Sequence, residues 1–449
     1  MQNDSELFNQ LDEKLKRFVA AHSGMQQRDT SWYTAMGHTV GGSEVAALLG
    51  CNPYSNLHDV VASKVALLQG KDTWGNGGAA CWWGILFEDI AAMYTEIELK
   101  SKVRGDEICV QRYPGHRNSP DGYIVAYSAL LNKPTLEKEP AQEPMDASSE
   151  LKYSLWTSDM PLTSATLPRI FLLEFKCPLS RCPTVAVPKQ YIPQIWSGLA
   201  VSPIAHAGLF IDCVFRKCAL SDLGPGPIHD TEYHVKKAKG PEYAAAAAWG
   251  LVGVYAPNLD APRWVRFSWR RAEWAEGDST DTDYAVTAWH MKSEAKKLNM
   301  CLTNPPDLSD LVDFGPCPAR MFDQALGSIT SRKFTCQRLL PCLADGRGLD
   351  LHTTDAQMAQ IKILRDKAPR NYYLLGVIPW KLFEVSFTPV ARRPFFMKEM
   401  APLISEVHER VRVAMASPDP EAHLRTERRA NMKPKNDISD ADACSLMYS

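Results

Sequence analysis

Apolar and polar positions divide the first half of the chain into short alternating units. Ser43 to Leu49 reads as a short helix, with Ser43 as its N-cap and Gly50 as its stop. Leu57 to Gln69 reads as a second helix closed by Gly70. Glycines between 75 and 78 lead into a long amphipathic helix from Cys81 to Ile97 that carries Glu88. Strands are expected at about 107–113 and 121–127. The run Ile170-Phe171-Leu172-Leu173-Glu174-Phe175-Lys176 has the β-branched and aromatic content of a buried strand. A helix over about 188–201 and a strand over 206–216 follow.

Elsewhere the pattern is weaker. Residues 1–30 are polar, mildly helical and peripheral, and 132–168 are rich in Pro, Glu, Ser and Thr, as in a loop or disordered insertion between two core strands. Beyond 217, Glu242 to Trp249 (five successive alanines) and Tyr284 to Leu298 read as helical. Pro262 to Trp269 reads as a strand, Tyr372 to Phe387 as one or two strands, and Phe396 to Ala416 as an amphipathic helix. The expected organisation is a polar segment 1–30, a core 31–216, an extension 217–416 packing on it, and a disordered tail 417–449. Arg425, Arg428, Arg429, Lys433 and Lys435 form a weak basic cluster there, read as a solvated tail rather than a nuclear import signal.

The 449 residues suffice for more than one domain, or for one core with large insertions. A hydrophobic content of 45% and a charged content of 23% fit a soluble globular protein. No run reaches the length of a membrane span, and the N-terminus lacks a secretory apolar segment, so no membrane partner is expected. The net charge of −2 does not advertise a nucleic-acid binder, but a cleft nuclease needs only local positive charge. The twelve cysteines have no framework spacing, and Cys109, Cys177 and Cys213 sit in apolar runs. They read as reduced core thiols of an intracellular protein.

Glu174 and Lys176 share one face of their strand, because side chains alternate with period two. A charge pair at the end of a buried strand is costly unless something uses it. Upstream, Ser119-Pro120-Asp121-Gly122 opens a second apolar run with a lone aspartate. Asp121 and Glu174, at the heads of neighbouring strands, can share a hard cation such as Mg²⁺, with the Phe175 carbonyl as a third oxygen. Lys176 would then orient or deprotonate a water and stabilise developing charge, and Glu88 would complete the carboxylate set. Tyr191 and Gln194, one turn apart, can hydrogen-bond a phosphate or base edge. Taken singly, Glu-x-Lys is a structural ion pair and Pro-Asp-Gly a turn. Their order and strand placement raise the joint catalytic reading far above either. His116 beside Arg117 suits a phosphate better than a metal, and His206 reads as a satisfied polar residue at a sheet edge. None of the cysteine sets (Cys177/Cys182, Cys213/Cys218, or Cys317 with Cys336 and Cys342) has the compact spacing of an iron–sulfur site, so no cluster is expected.

These motifs together resemble the YqaJ-type viral recombinases, the phage lambda exonuclease-like family within the PD-(D/E)xK nuclease superfamily. Gly42-Ser43-Glu44-Val45-Ala46-Ala47-Leu48-Leu49-Gly50-Cys51-Asn52-Pro53-Tyr54 resembles the family's opening motif, and Trp83-Gly84-Ile85-Leu86-Phe87-Glu88 its Gly-x-x-x-Glu helix. Ser119 to Gly122 matches the PD element, Glu174 to Pro178 the ExK element, and Tyr191 with Gln194 the helix after it. Pro379 to Val385 and the helix that follows resemble the C-terminal part of large-virus members.

The resemblance implies an α/β fold: a restriction-endonuclease-like core with a mixed central β-sheet flanked by helices, plus a C-terminal α+β extension. It implies Mg²⁺-dependent hydrolysis of double-stranded DNA, with Mn²⁺ able to substitute, as a 5′→3′ exonuclease resecting duplex ends for viral recombination beside a single-strand annealing protein. The setting would be a host nucleus or a cytoplasmic viral replication site. Ser43 and Gln194 fall where members hold the terminal or scissile phosphate, and a helix N-terminus at Ser43 would suit an anion. One departure stands out. The arginine that grips a 5′-phosphate in the lambda-type enzyme, seven residues before the motif serine, is Met36 here, with His38 nearby. That favours looser end preference or an endonuclease. An RNA-degrading or nucleic-acid-binding host-shutoff protein on the same scaffold is the alternative of a different class.

Overall fold

A computed structural model describes residues 2–24, 30–71, 79–106, 108–127, 167–183, 186–234, 240–257, 301–302, 335–369 and 372–431. The readings at 75–78, 132–166, 262–269 and 284–298 lie outside these residues, as do Cys317, Lys433 and Lys435. Helices α1 (Gln2–Ala21) and α2 (Thr30–His38) lead to a two-residue strand β1 (Val40–Gly41), a 3₁₀ turn (Gly42–Glu44) and α3 (Val45–Leu48). Helices α4 (Leu57–Leu68) and α5 (Ala79–Leu99) follow, then β2 (His116–Arg117), β3 (Gly122–Tyr127) and β4 (Pro168–Lys176). Next come α6 (Ile192–Val201), β5 (Ala207–Lys217), β6 (Ala248–Pro257), β7 (Cys301–Leu302), β8 (Thr335–Arg338) and β9 (Cys342–Leu343). The described chain ends with α7 (Thr354–Asp366), β10 (Tyr372–Val390), α8 (Phe396–Ala416) and α9 (Pro420–Asn431).

The main sheet is mixed. Its order is β3-β4-β5-β10-β6-β8, with β7 also on β10 and β9 also on β6. Among its described strands only β4 and β5 run parallel, joined by α6 as a crossover, while the other pairs are antiparallel. The 11 residues of β5 are buried throughout, as expected of a strand covered on both faces. On one face Trp83, Phe87, Ile90 and Tyr94 of α5 pack against Phe171, Leu173 and Phe175 of β4 and Ile211 and Phe215 of β5. On the other, Ile195 and Leu199 of α6 pack with Leu15 of α1 against Ile170, Leu172 and Phe210. A separate helical layer joins α3 and α4 to α8. The mixed central sheet flanked by helices is therefore present. The α+β part expected beyond residue 216 is continuous with it, because β10 inserts between β5 and β6.

Several local expectations change in the structure. Where a strand is expected over 107–113, residues 108–113 make isolated bridges, among them Val110 to Asn118, instead. The alanine run is not helical: Pro241–Tyr243 forms a 3₁₀ turn and Ala248 already pairs with Leu382 and Leu343 as β6 begins. Burial of Trp249 between neighbouring strands outweighs alanine's helix propensity. Helix α6 starts at Ile192, four residues after the expected boundary at 188, because Pro188 to Tyr191 closes a turn (Tyr191 N–H to Pro188 O, 2.9 Å). The N-terminal segment is not peripheral: Leu15 of α1 is fully buried and Asp12 pairs with Arg104 at 2.8 Å. Residues 420–431, expected inside a disordered tail, form α9, whose Leu424 is buried in the helical layer.

Candidate active site

The parallel strand β4 ends at Lys176, and the antiparallel strand β3 begins beside it. Gly122 pairs with Leu173, so the next step of the register sets Asp121 against Glu174. Gly122 makes this entry possible: its φ is 145°, and a Cβ there would lie 2.7 Å from Val103. The Asp121 carboxylate accepts the Phe175 N–H at 2.7 Å, which seats it on the end of β4. Glu174 is 2% exposed and makes an ion pair with Lys176, whose side chain is 24% exposed and reaches the surface. Tyr191, just before α6, stacks on Phe210 of β5 (5.5 Å between ring centroids), and the Lys176 Nζ lies 5.1 Å from its ring centre.

Two carboxylates thus crowd one ammonium at the edge of a dry interior. Burial and the nearby Asp121 push the Glu174 carboxyl up to about 8, against the pull of Lys176. Burial works against charge on Lys176, but Glu174 and Asp121 outweigh it and hold the ammonium above its ordinary range. Glu88, half-buried on α5, acts electrostatically on Cys177, one residue beyond Lys176; burial is the larger reason that thiol is raised.

Among the described residues no three His, Cys, Asp or Glu side chains stand together as a metal cluster. The structure brings Asp121 to Glu174 and leaves Glu88 outside such a group. Two carboxylates with the Phe175 carbonyl still fit Mg²⁺, which commonly takes one or two carboxylates and keeps several waters. The crowding that makes Glu174 hold its proton is what a bound cation would relieve.

The expected phosphate contacts fare differently. Ser43 is exposed but is not the N-cap. That position is Gly41, whose N–H is taken by Glu44 at 2.6 Å. Gly42 in this turn abuts Asn118: a Cβ there would lie 1.9 Å from its amide nitrogen. The turn and α3 pack against α6, which holds Gln194, half-buried, in its first turn. His116 is fully buried and hydrogen-bonds Ser197 at 3.0 Å, and burial lowers it to about 4, so it is a neutral interior brace rather than a phosphate contact. His206, by contrast, accepts the Ile170 N–H at 3.0 Å, a satisfied polar residue at the strand start. Met36 is half-buried in α2.

Three charged residues near this end of the sheet escaped the sequence reading. Asp212 of β5 is buried and bound by Arg181, and Lys217 at the end of β5 lies 5.5 Å from the Trp83 ring centre, lowered by burial to about 7. The signal was available: Asp212 is a lone carboxylate inside an apolar strand, the same anomaly that marked Glu174.

Residues 31–205 match the model of the YqaJ-like viral recombinase domain, the family that the motifs resemble. The chain is also similar to protein D345L of African swine fever virus. It is 26% identical to the protein of the Vero-adapted Badajoz strain over 401 residues, covering 88% of each chain. The protein of the Malawi tick isolate is 26% identical over 402 residues, with the same coverage. Among solved structures, the alkaline exonuclease LHK-Exo of Laribacter hongkongensis is 17% identical over 41% of this chain and 74% of its own, with a TM-score of 0.26. Its complex with dAMP matches with the same TM-score of 0.26. No helix among the described residues is long and apolar enough to cross a membrane.

Proposed function

We propose that this protein is a metal-dependent DNA nuclease that degrades duplex ends exonucleolytically, in the manner of a viral recombination nuclease. One observation carries the reading: Asp121, Glu174 and Lys176 meet where β3 and β4 join, with the glutamate buried and its carboxyl crowded by a second carboxylate. A structural ion pair has no need of that second acid, whereas a cation site does. The match of residues 31–205 to the YqaJ-like domain supports the same reading.

Asp121 and Glu174, with the Phe175 carbonyl, would hold Mg²⁺ or Mn²⁺. The ion would neutralise charge on the scissile phosphate and lower the pKa of a bound water. The protein's own part is positioning. The Phe175 N–H fixes one carboxylate, and Glu174 and the Tyr191 ring fix the Lys176 ammonium. Held protonated, that ammonium has no lone pair with which to accept a proton. It serves as a donor that orients the attacking water and meets negative charge on the phosphate as it develops. Ser43 and Gln194, on the packed pair formed by the 3₁₀ turn and α6, are assigned to phosphates along the strand, and Glu88 to the outer hydration of the ion.

The test is cleavage with Mg²⁺ of linear duplexes bearing 5′-phosphate or 5′-hydroxyl ends, beside covalently closed circles and RNA, with Asp121→Asn as control. Digestion confined to linear DNA and lost in the variant is the expected result. Equal rates on the two 5′ ends would follow from Met36, which cannot bind a phosphate. Cutting of circles would make the protein an endonuclease. Cleavage of RNA alone would move the substrate, and no cleavage at all would overturn the reading.

A further inference from the structure

Strand β5 carries a single carboxylate, Asp212, at 1% exposure. It stands in register with Lys176 on the neighbouring parallel strand, so both side chains leave the same face from backbones about 4.8 Å apart. Lys176 therefore lies between two acids, Glu174 on its own strand and Asp212 on the next. Glu384 of β10, paired with Val214, faces the same way and acts on Asp212 electrostatically. A lysine on its flexible stem has no fork geometry with which to choose between such partners.

Arg181 makes the choice. From the loop after β4 its guanidinium binds Asp212 through both nitrogens, at 2.5 Å to Oδ2 and 2.9 Å to Oδ1. Such a bidentate pair occupies both carboxylate oxygens in fixed directions. Ser386 of β10, the other register neighbour of Asp212, keeps a buried hydroxyl with no hydrogen-bond partner among the described residues, in keeping with oxygens already taken.

We infer that Arg181 is a positioning residue: by occupying Asp212 it leaves Lys176 to Glu174 and holds the lysine at the carboxylate site. The inference rests on the nuclease reading above. Without Arg181 a buried, unpaired carboxylate would sit one strand away and draw the lysine toward itself. A displacement of this size at a reacting centre is costly even when binding is unaffected.

A second substitution separates this role from direct contact with DNA. Arg181→Met is compared with Arg181→Met/Asp212→Asn, and the gentler Arg181→Lys with Arg181→Lys/Asp212→Asn in case the methionine variant does not fold. Steady-state cleavage is measured well below each melting temperature, and melting is followed without metal. The expected result is a loss of roughly ten-fold or more in kcat for Arg181→Met, with KM for DNA little changed. Neutralising Asp212 should return most of that kcat and raise the metal-free melting temperature. A double variant as slow as the single one, or a raised KM that persists in both, would overturn the inference and make Arg181 a direct DNA contact. That outcome in an active wild-type protein leaves the nuclease reading standing. An inactive wild type removes both.

Discussion

Among the described residues, two glutamate–lysine pairs have one member buried, and they differ in the charge that stands beside them. In the helical layer Lys64 of α4, 1% exposed, donates to both oxygens of Glu44 at 2.7 and 2.6 Å. The same carboxylate accepts the Gly41 N–H, and the further charge that acts on Lys64 is a cation, Arg117, rather than an acid. At the end of β4 the Glu174–Lys176 pair is joined by Asp121 and flanked by Asp212. The first pair is a closed unit that pins a helix to a turn. The second sets two acids, Asp121 and Glu174, against one cation, a crowding that only a proton or a bound cation relieves, and that crowding, rather than burial or pairing, sets it apart from a brace.

Substitutions at the two pairs should therefore act in opposite ways. The largest effect is expected for Asp121→Asn or Glu174→Gln: a loss of about 10²–10³-fold or more in cleavage, with metal-free stability kept or raised because crowding is relieved. Loss of both activity and melting temperature would make this pair structural and erase the contrast. Glu44→Gln should do the reverse, costing about 3–5 kcal/mol by leaving the buried Lys64 ammonium without its counter-charge. Denaturant unfolding would measure that loss, and a change below about 1 kcal/mol would show that solvent reaches Lys64.

A smaller effect distinguishes the pairs by pH. The Glu174 carboxyl is raised to about 8 in the folded protein and sits near 4.5 when unfolded, so between these values the folded state binds more protons. Metal-free stability should then fall as pH rises from about 4.5 to about 8, and saturating Mg²⁺ should flatten that slope. Melting temperatures across this range with and without Mg²⁺ give the answer, and a flat metal-free profile would contradict it. Smallest of all, Tyr191→Phe should stay within about three-fold of wild type in kcat, since the ring rather than the hydroxyl faces Lys176 and Phe210, while Tyr191→Ala should lose more. Equal losses in the two variants would assign the role to the hydroxyl.

The chain's own pattern carries much of this. Period-two alternation placed Glu174 and Lys176 on one face, and the Pro-Asp-Gly step placed Asp121 at the start of the neighbouring strand, because these are local consequences of strand geometry and turn chemistry. Helix α8 was legible over its full length, 396–416, because an amphipathic stripe is visible without knowing its partner. The alanine run was not, since what decides it is the burial of Trp249 and the pairing of Ala248 in a sheet whose other strands are about 95 and 134 residues further on. Asp212 was open to notice in the sequence as a lone carboxylate in an apolar strand, but its pairing with Arg181 was not: an ion pair spanning 31 residues is invisible until β5 is laid beside β4.

What the sequence alone determined is a local arrangement, two carboxylates and a lysine at strand ends in an order and spacing that resemble the YqaJ-like domain. Tertiary structure decided which charges are shared and which are satisfied. It set Asp121 against Glu174, left Glu88 outside the group, turned His116 into an interior brace, and placed Asp212 where it competes for Lys176. The division has a physical cause. Side-chain direction along one strand follows from covalent geometry, whereas the balance of charge at a site depends on long-range neighbours and on how far water is excluded, and only the folded sheet sets those.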